Sequence, residues 1–517
     1  MKYALPCSRL ALVFLIALFC GSYCLHAQSH WVSTGPNGKL VYAQTPKGDR
    51  IADFSFAGYE GGGVALPVVA AKRSVSPSGA DDSAAIQHAI DEVSALPLVH
   101  GFRGAVELAQ GTFHCAQTIS ITASGVVLRG SGKQGTTLVM TGDPHLAIHV
   151  AGKLQQANAG AETDITDAYV PSGTSTLHVA DAANLHPGDT LLIRKPVTQA
   201  WRHFMGMDNL ARNGKPEHWV EGSNLDVRRR IAAVSGHTIT LEVPLMDSYD
   251  TQFFDGGHAT VRKVEVSGQI SHAGVENLRI LAPQRSIALG QPEFDGLSME
   301  DAVDSWVRLV TSEETTNSIH INAGTERITV ERCDVIQHVT VTTPAKPFDF
   351  SSNGSQILFD RCTGSGDKTF YFATQARQQG PVVVLHCRFT GDGHIQPHQR
   401  WSTGLLVDGC EVPGGGIDLM NRGEMGSGHG WAIGWSVAWN NTAKSFEMNE
   451  PPAIANWSIG NRGEERNPPM PVFDGSKRAP LDAAIIESDG KPVQPESLYL
   501  KQLAERLGPA ALKNIGY

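Results

Sequence analysis

The chain is short of positive charge. Lysine and arginine number 42 against 52 aspartates and glutamates, which leaves a net charge of −10 over 517 residues. Such a surface disfavours nucleic acid and anionic lipid headgroups as partners. Long apolar runs are missing as well, because no stretch after Phe19 is long enough to span a bilayer. Cysteine is sparse: of eight, Cys7, Cys20 and Cys24 precede residue 25, and the other five show no CxxC pair and no adjoining histidine pair at ligand spacing. The cysteines therefore do not read as a metal site. Through the middle of the chain the i, i+3, i+4 apolar stripe of an amphipathic helix is also absent.

What is present is a repeat. From Val275 to Asn461 one short pattern returns as VENLRIL, SWVRLVT, VERCDVI, FDRCTGS, VLHCRFT, VDGCEVP, AIGWSVA and ANWSIGN. Taking the central apolar residue of each copy as an anchor gives Leu278, Val307, Cys333, Cys362, Cys387, Cys410, Trp435 and Trp457, at steps of 22 to 29 residues. That is a solenoid period. Most copies carry an apolar residue three before the anchor and another two after it, as in Val330, Cys333 and Val335. A continuous strand keeps its inward residues at even spacing, so the odd step implies a corner between two short strands. Coils of about two dozen residues with several such strands predict an all-β, parallel β-helix. Cys333, Cys362, Cys387 and Cys410 then stack as inward neighbours about 4.8 Å apart. That spacing admits a disulfide, but small free hydrophobes in a core are the preferred reading, with Cys115 free as well.

The first 27 residues, with Lys2, Arg9 and an apolar run from Leu10 to Phe19, read as a secretory leader cleaved after Ala27. Loss of Lys2 and Arg9 takes the net charge to −12, and the mature protein is expected to be secreted or periplasmic, without a membrane partner. Residues 28–517 are expected to form a single domain: an N-terminal cap and first coils over 74–150, a β-hairpin insertion over 174–262, main coils over 270–461 and a helical tail over 490–517. A monomer is expected.

The N-terminal cap carries a resemblance. GADDSAAIQHAID, a helix capped by Asp81 or Asp82, is followed by a Gly-Thr-Phe strand and VVLRGSG. Over residues 76–142 this resembles the opening of the pectate-lyase-like superfamily of secreted right-handed β-helix proteins. The resemblance implies the fold; it does not choose a reaction, since similar openings precede lyases, glycoside hydrolases and phage tail spikes. Gly428-His429-Gly430 is also similar to the Gly-His-Gly stretch of polygalacturonases. That family's Asn-Thr-Asp and Asp-Asp motifs are missing, however, and the preceding segment offers only Asp408.

Chemistry is expected where polar residues gather just after the cysteine anchors, in KTFYFATQAR, GHIQPHQRW, GIDLMNRGEMGSGHGW and SFEMNEPP. If Phe370, Ile395 and Ile417 are equivalent inward residues, the position five later holds Gln375, Arg400 and Arg422, with Thr374, Gln399 and Asn421 just before. Two arginines on neighbouring coils can grip a carboxylate or neutralise the enolate-like charge of β-elimination from a uronic acid. His398 or His429 would be the base, with Lys368 a further candidate. The competing chemistry is hydrolysis by two carboxylates, for which Glu424 with Glu447 or Glu450 is available. Trp401, Trp201 and His203 complete the expected substrate contacts. Asp367, Asp392 and Glu424 leave Ca2+ open, although no calcium-loop spacing assigns a ligand. The expectation is a polysaccharide lyase acting on a uronate-containing polysaccharide or oligosaccharide, with a glycoside hydrolase as the alternative and a non-catalytic carbohydrate-binding β-helix as a third reading.

Overall fold

A computed structural model describes residues 27–286, 290–339 and 346–517; the expected leader, apart from Ala27, lies outside the described residues. A network of 29 hydrogen-bonded strands, paired in parallel, winds into a β-helix. Each full coil contributes strands to three sheets. The first sheet stacks Glu326–Glu331, Ser355–Asp360, Gln379–Leu385 and Ser402–Asp408. A second, short one stacks Asp334–Ile336, Thr363–Ser365 and Arg388–Thr390. The third runs through Phe348–Ser352, Phe370–Thr374, His394–Ile395 and the second halves of Glu411–Leu419 and Thr442–Met448.

The odd step in the repeat is a left-handed residue. Arg332, Arg361 and His386, each just before an anchor cysteine, have φ of 50, 51 and 49°, and Gly409 before Cys410 has 63°. One residue in that conformation ends the first-sheet strand and starts the second. The cysteines point inward, fully buried and unpaired. Strand register corrects three other anchors. Leu278 is level with Val310 rather than Val307. Beyond Cys410 the inward corner passes to Asn441 and Asn461, not to Trp435 and Trp457. Asn441 Oδ1 accepts from Cys410 N, and Asn461 Oδ1 accepts from Asn441 N, both at 2.8 Å. An amide side chain can satisfy the neighbouring coil's backbone from inside the corner, whereas the two indoles, too bulky for it, pack in an outer layer.

The ends are covered. Ser83–Ser94 is a helix whose Ile86, Ala89, Ile90 and Val93 are buried against the first coils, which removes an open end of the solenoid. The chain leaves the coils after Ala151 and returns near Ile270, folding between them into a six-stranded antiparallel sheet. This insertion has its own core, including Leu191, Ile193, Ile231 and Val261.

At the other end, the helix Leu498–Leu507 docks on the first sheet. Asp408 Oδ2 accepts from Ser497 Oγ and from Tyr499 N, both at 2.8 Å. Burial pushes the Asp408 carboxyl up to about 7, despite those donors. A folded-state value above the unfolded one means that the folded chain holds the proton more tightly. The associated stability is full below about pH 4 and is lost as pH rises through 7. We expect the unfolding free energy of the wild type to fall between pH 5 and pH 8 relative to that of Asp408→Asn, by up to ~1.4 kcal/mol per pH unit, and its melting temperature to fall with it. Calorimetry at both pH values checks this, and parallel curves for the two proteins would refute it.

Candidate active site

Strands of the third sheet present one outward position per coil. On successive coils it is occupied by Gln396, Asp418, Glu447 and Arg466, since Ile395 is level with Ile417, Asp418 with Glu447, and Glu447 with Arg466. Neighbouring parallel strands lie about 4.8 Å apart, so the two acids stand side by side. Asp418 Oδ2 accepts from His394 Nδ1 at 2.7 Å and Gln396 Nε2 at 2.6 Å. These two donors from the preceding coil hold its carboxylate in one orientation. Glu447 has no such partner among the described residues. Burial, and next the Asp418 charge, raise its carboxyl to about 7, although Arg466 and His394 pull the other way. The pair thus combines an anchored carboxylate with an acid that is partly protonated at neutral pH, the division of roles that unequal environments give two carboxyl groups.

A basic cluster adjoins the pair. Arg422 is 8% exposed. Its Nη1 donates to His398 O at 2.6 Å, its guanidinium lies over the Phe370 ring at 5.3 Å, and the Asp418 charge acts on it. Lys346 reaches the same ring at 5.5 Å. The rings of His398 and His429 meet edge to face at 4.8 Å, and His398 Nδ1 pairs with Gln375 Oε1 at 3.1 Å. Burial, and after it the Arg422 charge, push His398 down to about 3 and His429 to about 2. Both imidazoles are therefore neutral near pH 7. Arg400, with φ of 49°, donates to Ser427 Oγ at 2.8 Å. Among the described residues Arg400 Nε, Arg422 Nε and His429 Nδ1 are buried without a hydrogen-bond partner. Three unmatched nitrogens in one cluster are unusual, because buried polar atoms are ordinarily satisfied, and the two that belong to guanidinium groups suit an anion.

The structure thus brings His398, Arg400, Arg422, His429 and Gln375 together, with Glu447 on the adjoining column. Other expected residues lie elsewhere or are already engaged. Trp401 is fully buried and Trp201 nearly so; their rings pack against each other at 5.5 Å, and Trp201 stacks on Trp219 at 5.1 Å. Neither can carry a sugar. They instead join the insertion to the coils, and Trp401 Nε1 donates to the buried Asp247–Lys195 pair. Glu424 lies off the strand column, its Oε2 accepting from Phe473 N at 2.6 Å, whereas Asp418 is level with Glu447, so the partner of Glu447 is Asp418 and not Glu424. Glu450 lies near the Asp482 charge. Asn421 is buried and accepts from Gly423 N. His203 is exposed and pairs with Asp208, and the Lys368 backbone donates to Asp392. Gln399 is half-buried and makes no side-chain hydrogen bond among the described residues.

Asp418 escaped sequence reading although it was in plain view. Its signal was the spacing to the inward Ile417, the same as that of Glu447 to Phe446, but this equivalence requires the strand register. A wrong register for Phe370 added to the difficulty: it is level with His394, and Phe372 takes the inward place beside Ile395.

For a cation, the described residues offer one mixed cluster, Glu313, Glu314 and His338, with donor atoms within 4.8 Å of one another. Glu313 is tied to Arg279, while Glu314 accepts from His338 and from Gln284. These pairings already satisfy the three side chains. Asp392 and Asp367 accept from Lys368 N and Asp392 N, which commits them to a turn.

No protein-family model and no curated protein sequence matches the chain. Among solved structures it is similar to the tailspike protein gp49 from Pseudomonas phage LKA1, with 15% identity over 74% of this chain and 69% of that one and a TM-score of 0.39. It is similar also to a polygalacturonase from Erwinia carotovora ssp. carotovora, with 10% identity over 83% of this chain and 95% of that one, TM-score 0.39. The tailspike of E. coli bacteriophage HK620, in complex with a pentasaccharide, shows 11% identity over 80% and 63%, TM-score 0.40.

Proposed function

We propose that the protein cleaves an acidic polysaccharide by hydrolysis. The observation that carries this reading is the Asp418–Glu447 pair, level with each other on adjacent coils; the ~4.8 Å between neighbouring strands suits the ~5–5.5 Å between the carboxyl groups of retaining glycosidases. Glu447, protonated, gives its proton to the glycosidic oxygen as the bond to the anomeric carbon breaks. Asp418 attacks that carbon and forms a glycosyl ester. Water then displaces Asp418 while Glu447 takes the water's proton, so both groups return to their starting state. Arg422 and Arg400 beside the pair support an anionic sugar, whose carboxylate would meet the unmatched nitrogens.

A second reading is favoured by the basic cluster. Neutral His398 or His429 could remove the proton next to a uronate carboxylate while Arg422 offsets the developing charge, giving β-elimination. The products separate the two. Incubation of the purified protein with a panel of acidic polysaccharides is expected to release reducing ends without the ultraviolet absorbance of a 4,5-unsaturated uronate. Absorbance rising together with reducing ends would replace hydrolysis by elimination. Binding without any product would leave a non-catalytic glycan-binding surface.

A further inference from the structure

We infer that the protein carries a second, non-catalytic cleft for an acidic oligosaccharide segment, remote in its residues from the Asp418–Glu447 column. This cleft forms where four parts of the chain meet: the N-terminal loop at Phe56–Gly61, the insertion at Arg228–Arg230, the coils at His272, Asp304 and Arg327, and the C-terminal helix at Arg506. Its volume is about 850 Å³, within the ~300–1,000 Å³ of ordinary ligand sites.

The walls hold more guanidinium than their carboxylates neutralise. Three pairs are matched. Arg228 meets Glu326 at 2.7 Å, Arg327 holds Asp304 through two bonds of 2.6 and 2.8 Å, and Arg230 lies 3.7 Å from Glu242. Two arginines bond to no carboxylate. Arg229, 3% exposed, donates only to the carbonyls of Arg228 and Gly380 and to Ser355 Oγ. Its Nε has no partner among the described residues. Arg506 donates to Ser55 Oγ and to the carbonyls of Ser55 and Gly61, with its plane over Phe56 at 4.1 Å; Asp53 acts on it through charge alone. Against them stands one further acid, the exposed Glu60 at the rim.

Burial depresses Arg229 to about 10 even though the Glu326 charge, bonded to Arg228, pulls the other way, and a buried guanidinium that bonds to no carboxylate is costly. An anionic group entering the cleft would supply the missing charge. Gln269, Gln356 and Thr190 on the same walls can pair with sugar hydroxyls. That the ligand is a glycan rests on the proposed function; the preference for an anion does not.

The test uses full-length Glu447→Gln, expected to cleave about 10³-fold more slowly than wild type, and titrates it calorimetrically with tetrasaccharides of galacturonate, alginate and chondroitin sulfate, with cellotetraose as a neutral control. At least one anionic probe is expected to fill two sites, and cellotetraose neither. Adding Arg506→Gln is expected to weaken one site tenfold or more and to flatten its salt dependence. Because Arg506 also ties the C-terminal helix to the N-terminal loop, Arg230→Gln at the exposed rim serves as a second variant, with a smaller loss in the same site. Arg422→Ala is expected to weaken only the other site. A single site for every probe, no binding of any anionic probe, or a second site indifferent to Arg506 and Arg230 would overturn the cleft. Failure of the hydrolase reading looks different: wild type would release no reducing ends, or reducing ends together with ultraviolet absorbance, while the Arg506-dependent site still fills.

Discussion

Glu447→Gln is expected to lower kcat on the cleaved polymer by about 10³-fold, within the range that removal of a general acid produces, while the protein unfolds at nearly the wild-type temperature. The amide keeps the shape of the carboxyl group but cannot give up a proton. The wild-type rate is expected to fall as pH rises through about 7, where Glu447 loses its proton, and the residual rate of the variant is expected to lack that limb. Asp418→Asn is expected to cost as much or more, because it removes the nucleophile. It should also lower the pH at which Glu447 titrates, since the Asp418 charge is one of the causes that raise it. Wild-type rates in Glu447→Gln on every cleaved substrate would remove this pair from the chemistry.

Arg422→Ala is expected to reduce kcat/KM for an acidic substrate by about 10- to 150-fold, the effect of losing a hydrogen bond to a charged group, ~1.5–3 kcal/mol. Arg422→Lys is expected to restore only part of it, because an ammonium cannot grip a carboxylate through two parallel bonds. A further readout reports position rather than rate. The Arg422 charge helps to hold His398 and His429 below their ordinary range, so both imidazoles are expected to titrate higher in Arg422→Ala, as followed by NMR of their ring protons. An unchanged kcat/KM would move the anion subsite away from Arg422. Unchanged histidine titrations would show that burial alone depresses them.

Both predictions depend on the insertion. Lys195 and Asp247, each almost wholly buried, lie 3.1 Å apart beneath Trp201 and Trp401. Trp401 follows Arg400, and both have left-handed backbones, with φ of 49 and 57°. Arg212 of the insertion also donates to Glu424 O, within the loop that carries His429. Side chains from outside the coil repeat therefore brace the face that carries the candidate site.

The division between what could be read and what could not follows from the distance over which each signal acts. Inward Val, Ile, Phe and Cys recur because every coil must bury the same column, so the solenoid, its odd-step corner and the unpaired cysteine ladder were written in local spacing. The Arg-His cluster was legible for a similar reason: Arg400 and Arg422, and His398 and His429, come from consecutive coils with matching positions. Coils of unequal length blur such matching. Val307, Trp435 and Trp457 were apolar residues near the right places, but only hydrogen-bond register shows that Val310, Asn441 and Asn461 fill them. The same uncertainty concealed Asp418 as the neighbour of Glu447. Trp201 and Trp401 posed the opposite problem, since an indole suits a sugar or a core equally well and only burial tells them apart. Composition and periodicity by themselves thus determined a β-helix with a basic, histidine-containing patch on its late coils. Tertiary structure alone decided which carboxylates meet, because a contact between coils depends on the register of strands some 30 residues apart, and no local preference sets that register.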